Sequence, residues 1–520
     1  MRLVKIFGYL LIYFCFSKNY LIAQDTLHLI TTITGTNIET PIYNASALGD
    51  INGDGFNEFG IKQLNTDYFD IYFGSNRVDS YNKTRFYAPN DLLGHTGIGT
   101  KLGDVNKDGF DDFLLSGSKD HVFHSGKVYL YFGGETIDQL PDFSFEDIYL
   151  QDLLSGGTGG DFNGDGYDDF TVKNPYNWTN GIGRVYLFLG GETIVDTPFV
   201  TFVSDSLEDF FGSVANLEGD INGDGFNDLI ITSPMPPLQS TTSKCFFFFG
   251  GKTISFDSSL YIEIPHESNI EVVDDFNKNK SSEFFVTISN KLYLGDSMFS
   301  ENDYLEFSSS EEMDSFGETA GSAGDINNDG YGDLIIGATN HRNNDDIMVG
   351  GAYIFLGGTE PNTTSDFVME GETKWSHFGW KVGSLGDLNG DGYDEIYVLA
   401  DGYPDNEKPL GKVYIYSMKK FIVDVVNEKP ELTYEFNLYQ NYPNPYNPTT
   451  TISYQLPKAS NVVLKIYDVL GKEVAELVNE NKSAGIYNVN FNASNLPSGL
   501  YFYKIQAGEF TETRKMLLMK

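Results

Sequence analysis

The chain has 520 residues, 40% of them hydrophobic and 15% aromatic, with 55 glycines, which is more than one ordinary domain and enough to bury a sizeable core. Its formal net charge is −40. So acidic a surface repels nucleic acid and anionic membranes, which excludes both as partners, and it attracts divalent cations.

At the N-terminus, Arg2 and Lys5 precede an apolar stretch from Ile6 to Phe16, and small and polar residues follow near Ala23 and Gln24. This is the pattern of an export signal over residues 1–24; a retained N-terminal anchor is the alternative. The stretch is shorter than the roughly 20 residues of a membrane span, and no later stretch is long and apolar enough. The mature chain is therefore expected to carry no transmembrane segment and a charge near −43, since the signal holds three basic and no acidic residues. Cys15 lies in the signal, which leaves Cys245 alone and rules out an intramolecular disulfide. An exported protein without disulfides needs other staples, of which metal ions are one.

From Leu48 onward one phrase recurs. "GDINGDGFNEF" is followed by "GDVNKDGFDDF" at Gly103, "GDFNGDGYDDF" at Gly160, "GDINGDGFNDL" at Gly219, "GDINNDGYGDL" at Gly324 and "GDLNGDGYDEI" at Gly386, with a worn copy, "DDFNKNKSSEFF", at Asp274. The first aspartates of the seven copies are Asp50, Asp104, Asp161, Asp220, Asp275, Asp325 and Asp387, spaced by 50 to 62 residues. A period of this length means one supersecondary unit per repeat. Each loop is followed by a short apolar run, such as Leu229 to Ile231, and then by a second one bounded by glycine, such as "GRVYLFLGG" at Gly183. Both read as buried strands. Several loops are preceded by a strand opening with Phe-Gly, at Phe211, Phe316 and Phe378. With one further strand per gap, seven four-stranded units predict a closed all-β ring, a seven-bladed β-propeller over residues 25–420. The last unit lacks its outer strand after "GKVYIYSM", and Leu27 to Gly35 is expected to complete it. An open solenoid is the alternative.

Numbering the first Asp of each loop as position 1, six copies carry oxygen donors at positions 1, 3, 5 and 9, with the backbone carbonyl of position 7 as a fifth. These are Asp50, Asn52, Asp54, Phe56 and Glu58; Asp104, Asn106, Asp108, Phe110 and Asp112; Asp161, Asn163, Asp165, Tyr167 and Asp169. The other three are Asp220, Asn222, Asp224, Phe226 and Asp228; Asp325, Asn327, Asp329, Tyr331 and Asp333; Asp387, Asn389, Asp391, Tyr393 and Glu395. Hard oxygen ligands in a flexible wrap suit Ca²⁺ better than Mg²⁺. Glycine at position 6 supplies the positive φ such a wrap requires. An EF-hand opens with the same run but needs Glu at position 12, where these loops have Ile61, Leu115, Val172, Ile231, Ile336 and Val398. A cation-free, Asx-rich hairpin is the plainer reading of one copy; six copies with the same donors argue against it. In the fifth loop Lys278 and Lys280 intrude and the glycine is gone, so about six calcium sites are expected.

With these loops on the page, Phe211 to Pro234, "FGSVANLEGDINGDGFNDLIITSP", resembles the FG-GAP repeat of integrin α-subunit propellers. The likeness spans roughly Leu27 to Tyr416. It implies a seven-bladed ring with calcium in the hairpin joining the first and second strands of each blade. The Phe-Gly motif is missing in blade three and replaced by "TGIG" at Thr96 in blade two.

Near Val423 the period stops, and residues 421–435 read as a linker. Alternation over "NVVLKIYDVLGKEVAEL" and two further strands predict a small Ig-like β-sandwich over residues 436–520. From Leu432 onward basic and acidic residues nearly balance, so the acidity belongs to the ring. The Pro-Asn-Pro turn, Tyr467 to Lys472, "LPSGLYFYK" and the basic end at Lys515 and Lys520 are similar to the C-terminal type A sorting domain of the type IX secretion system of Bacteroidetes. That resemblance implies Sec export, recognition by the type IX machinery, passage across the outer membrane, and release or attachment at the cell surface.

No catalytic motif stands out. None of the seven histidines falls in a zinc spacing, and neither a G-x-S-x-G elbow nor a P-loop occurs. The expectation is a secreted or cell-surface, non-catalytic binding or adhesion module with calcium as its cofactor and an extracellular protein or glycan as partner. Trp178, Trp375 and Trp380 are candidates to stack on sugar rings, with packing in the core as the alternative for each. The alternative is a secreted polysaccharide-active hydrolase or lyase with its site in loops over the ring, at Pro234 to Ser243 and Asn340 to Val349.

Overall fold

The apolar run after each loop is hydrophobic at every position because it is buried on both faces. The computed structural model describes residues 26–419 and 437–519, apart from stretches within 77–81, 88–94, 97–98, 119–125, 147–153, 176–181, 205–209, 234–240, 255–259, 310–313 and 405–406 and single or paired positions elsewhere. The export signal, the linker and Trp178 therefore lie outside the described residues. Among those described, all regular structure is β-strand. The chain divides into two compact units, residues 1–422 and 423–520.

The first unit holds seven antiparallel sheets. Their first strands are Ile42–Gly49, Thr100–Gly103, Ser155–Gly160, Ala215–Gly219, Ile270–Val273, Phe316–Gly324 and Phe378–Gly386. Each touches the first strand of the next sheet, and the seventh touches the first, so the blades close a ring around a channel. In blade two the first strand is broken into His95–Thr96 and Thr100–Gly103, at the point where the sequence departs from Phe-Gly. In blades six and seven the motif opens the strand; Gly379 has φ 93°, and a Cβ there would sit 2.2 Å from the Gly351 carbonyl oxygen.

Seven hydrophobic clusters fill the seven junctions between consecutive blades, and in five blades the second strand feeds two of them. Leu229 and Ile231 pack with Val185, Leu187 and Phe202 of blade three, while Ile230 between them packs with Phe284 and Val286 of blade five. Ile396 and Val398 join blade six, and Tyr397 and Leu399 join blade one. Each such side chain contributes roughly 1.5–3 kcal/mol by leaving water, and none can do so in an isolated blade.

The ring is closed by the chain's own beginning. Thr26–Thr34 pairs antiparallel with Lys412–Lys419, Thr26 opposite Lys419 and Thr34 opposite Lys412, with a bulge between Leu29 and Thr31. Ile33 enters the cluster shared by blades seven and one. An N-terminal strand as the outer strand of the last blade removes an open edge and ties the two ends of the propeller together.

In the second unit, a three-stranded sheet (Asn437–Leu438, Thr449–Leu456, Gly485–Asn492) and a four-stranded one (Glu473–Lys482, Ser460–Tyr467, Gly499–Ala507, Phe510–Leu518) share one core. Val462, Leu464 and Ile466 point inward to Tyr454, Tyr503 and Met516, as period-two alternation requires. This is the expected sandwich.

Deleting Thr26–Thr34 is expected to lower the melting temperature of the whole propeller by about 10 °C or more in calorimetry. A deletion that melts like the parent contradicts closure by this strand.

Candidate metal centres

Each loop leaves the first strand of its blade and enters the second through a wrap of left-handed residues. Position 6 is at φ 87° in Gly55, 94° in Gly109, 86° in Gly166 and 90° in Gly225. Position 4 is left-handed as well, in Gly53, Lys107, Gly164, Gly223, Lys278, Asn328 and Gly390, a requirement that sequence reading did not single out. The aspartate at position 1 holds the wrap from inside. Asp50 accepts the amide protons of Gly53 at 2.7 Å, Asp54 at 3.1 Å and Gly55 at 2.9 Å. Asp220 repeats this with Gly223, Asp224 and Gly225. The oxygen of Asn52 accepts from the Asp54 amide, and that of Asp54 from the Phe56 amide.

Position 9 behaves differently. Glu58, Asp112, Asp169, Asp228, Glu283, Asp333 and Glu395 are all 0–1% exposed. One carboxylate oxygen accepts the amide proton of position 2, as in Val105 to Asp112 at 2.9 Å and Phe162 to Asp169 at 3.0 Å. In five blades the other accepts from a glycine two residues past the third strand: Gly74, Gly133, Gly190, Gly250 and Gly357. One buried carboxylate thus pins its own loop to the strand beside it.

Burial pushes these carboxyls up, to about 8 for Glu58, Asp112, Glu283, Asp333 and Glu395 and about 7 for Asp169 and Asp228. Neighbouring carboxylates add to the push, Asp54 and Asp50 on Glu58, Asp329 and Asp325 on Asp333. The backbone amides work against it, and among the described residues no cationic side chain is a leading cause for any of the seven. A cluster of hard oxygens, one buried and several repelling one another, is the chemistry that a divalent cation relieves.

The structure brings positions 1, 3, 5 and 9 into one loop, but as a hydrogen-bonded network. Where position 9 is Asp, the amide nitrogen of position 3 donates to the carboxylate of position 5, as in Asn106 to Asp108 at 2.8 Å. Where it is Glu, the extra methylene carries the carboxylate to that amide: Asn52 to Glu58 at 3.0 Å, Asn389 to Glu395 at 2.6 Å. The carboxylates so spaced do not draw together, and among the described residues no three His, Cys, Asp or Glu side chains form a ready-made metal cluster.

The fifth loop keeps this frame. Phe276 donates to Glu283 at 2.6 Å, and Asn279 and Lys280 donate to Asp275. Lys278 and Lys280 occupy the two left-handed positions at φ 62° and 78°. The Lys278 ammonium leans onto the Tyr331 ring of the next loop, 4.6 Å from its centroid.

The loops are also joined to one another, through a position the sequence did not flag. The amide of position 8 donates to the carbonyl of position 1 in the preceding loop: Asp111 to Asp50, Asp168 to Asp104, Asn227 to Asp161, Ser282 to Asp220, Gly332 to Asp275, Asp394 to Asp325, and Asn57 back to Asp387. Where position 8 is Asp, its side chain takes a second bond, Asp168 from the Asp104 amide at 2.8 Å and Asp394 from the Asp325 amide at 2.9 Å. Seven loops form one closed hydrogen-bonded belt.

Comparison with known sequences matches this geometry. The family described as FG-GAP repeat matches residues 154–188, 212–243, 316–348 and 378–416, and the secretion system C-terminal sorting domain matches residues 440–519. The chain carries FG-GAP repeats and a C-terminal secretion sorting domain. It is 36% identical over 114 residues to integrin alpha-5 of Xenopus laevis, covering 21% of this chain and 11% of that protein. It is 39% identical over 93 residues to integrin alpha-6 of Homo sapiens, 18% of this chain and 8% of that protein. It is 27% identical over 211 residues to phosphatidylinositol-glycan-specific phospholipase D of Homo sapiens, 37% of this chain and 25% of that protein. The chain thus spans a quarter or less of the length of these relatives. The loops at Asp50, Asp104 and Asp275 lie outside the matched FG-GAP stretches but share their hydrogen-bond frame.

Asp169→Ala strands the buried amides of Phe162 and Gly190 and is expected to cost about 3 kcal/mol in urea denaturation without calcium; Asp165→Ala, at the exposed rim, is expected to cost under about 1 kcal/mol under the same conditions.

Proposed function

We propose that this protein is an exported, calcium-stabilised FG-GAP propeller that acts as a non-catalytic binding or adhesion module outside the cell. The carrying observation is the belt of loops: six of the seven offer Ca²⁺ the same donor positions, around a buried carboxylate that has no cationic partner among the described residues. The ligands we assign are the side chains of positions 1, 3, 5 and 9 and the carbonyl of position 7 in the loops beginning at Asp50, Asp104, Asp161, Asp220, Asp325 and Asp387. The fifth loop, with lysines at both left-handed positions, is left without an ion.

The C-terminal match supports export through the type IX secretion machinery. We assign residues 1–24 to a signal peptide, 25–420 to the propeller, 421–435 to a linker and 436–520 to the sorting sandwich. No described helix is long and apolar enough to cross a membrane. The propeller's partner, on this reading, is an extracellular protein or glycan.

Calcium and pH together test the reading. The position-9 carboxyls have folded-state values raised from about 4 to 7–8. Without metal, the folded protein therefore holds protons that the unfolded chain has released. Stability is full below about pH 4 and falls as pH rises toward 8. With calcium the carboxylates are stabilised ionised, and the fall disappears or reverses. Melting temperature against pH, in chelator and in millimolar calcium, is expected to diverge steadily above pH 5. Superimposed curves refute calcium stabilisation.

A further inference from the structure

The inner strands run toward the belt, and Trp380 and Lys381 lie near the start of the seventh, Phe378–Gly386. Trp380 stands seven residues before Asp387, roughly 20 Å along the strand. The mouth of the channel remote from the metal loops is therefore where these two residues sit. A cavity of about 420 Å³ opens there, lined by Trp380, Lys381, Glu318, Glu271, Asn269 and Thr339, and it continues into the channel past Glu271 and Tyr397. Its volume is in the range of small-ligand sites.

Trp380 is 42% exposed, a large apolar surface left in water at the edge of a polar cavity. It is held in place. Its amide donates to the His377 carbonyl at 3.0 Å, and its ring lies 6.4 Å from the His377 imidazole. His377 is bound to Asp401 at 3.0 Å and sits in the left-handed region at φ 51°, as does Trp375 two residues earlier at φ 62°. Ser376 between them is buried and donates to the Val349 carbonyl of blade six at 2.7 Å. Two non-glycine residues in this conformation within one turn store strain, which the surrounding hydrogen bonds maintain.

The cavity wall offers hydrogen-bond groups of both kinds. Glu318 accepts from Thr339 at 3.4 Å and is otherwise exposed. Asn269 donates to Glu271. Burial first, then the charge of Glu218, pushes Glu271 up to about 8, and burial pushes Lys381 down. An aromatic face beside closely spaced donors and acceptors is the chemistry that recognises a sugar ring, its C–H face on the indole and its hydroxyls on the carboxyl, amide and ammonium groups. Carboxyl groups at the mouth and the acidity of the whole chain disfavour an anionic sugar.

Resting on the reading of the propeller as an extracellular binding module, we propose that the channel mouth at Trp380 is a binding site for neutral carbohydrate, with Trp380 as the stacking platform and Glu318, Glu271, Asn269 and Lys381 as hydroxyl partners.

The test is isothermal titration of the full-length secreted protein in calcium with maltohexaose, cellohexaose, mannohexaose and, as the anionic counterpart, a hyaluronan hexasaccharide. At least one neutral oligosaccharide is expected to bind, Trp380→Ala to weaken it at least tenfold with the melting temperature unchanged, and Trp380→Tyr to retain most of the affinity. Three results overturn the site: equal binding by Trp380→Ala, preference for hyaluronan, or no heat from any neutral member at about 10 mM. The first of these moves the glycan elsewhere on the propeller and leaves the binding-module reading standing, whereas divergent pH melts with no sugar heat separate calcium stabilisation from carbohydrate recognition.

Discussion

A buried carboxylate sits at the root of every blade, accepting an amide proton from its own loop and, in five blades, another from the glycine two residues past the third strand. Everything at the belt depends on it. It fixes the angle at which the loop leaves the first strand, and so where the half-buried carboxylate of position 1 and the exposed one of position 5 stand. It also fixes position 8, whose amide reaches the preceding loop. A buried acid held by neutral donors is poorly compensated, and the electrostatic strain repeats seven times around the ring. Among the described residues the one cysteine, Cys245, is buried in blade four, and no disulfide offsets that strain. Cations are the compensation the donor chemistry suits.

The fifth loop illustrates the same constraint by a different solution. It keeps Glu283 buried and keeps the bond from Phe276, yet replaces both left-handed residues by lysine and the acid of position 5 by Asn279. Asn279 turns its amide to the Gly295 carbonyl at 2.8 Å. Frame and charge are thus separable: the backbone wrap survives where carboxylates are fewer and ammonium groups are close. That is why a loop with worn sequence can still occupy its place in the belt.

Much of this was legible in the sequence because the repeat writes it seven times. The spacing of Asp50 to Asp387 predicts the blades, "LHLITTITG" predicts the closing strand, and Leu229-Ile230-Ile231 predicts a strand without a wet face. The alternation of Val462, Leu464 and Ile466 places the second unit's core. Other parts were not legible for physical reasons. Position 8 varies among Asn, Asp, Ser and Gly because its backbone makes the inter-blade bond, and a backbone donor leaves no trace in residue type. Position 4 hides its left-handed backbone behind Lys107, Lys278 and Asn328. The burial of position 9, which sets it apart from the other three acidic or amide positions, depends on the third strand of the same blade, far along the chain. Trp380 reads in the sequence as either a core or a sugar-stacking aromatic, because the cavity beside it is assembled from three different blades.

The most direct test of the account is anomalous diffraction from crystals grown in calcium and re-soaked in a lanthanide, which places each bound ion without reference to stability or activity. The account predicts six peaks, one in each loop beginning at Asp50, Asp104, Asp161, Asp220, Asp325 and Asp387, each within bonding distance of the position-9 carboxylate, and none at Asp275. Empty loops in ordered crystals, or ions bound only at the surface away from position 9, would contradict it.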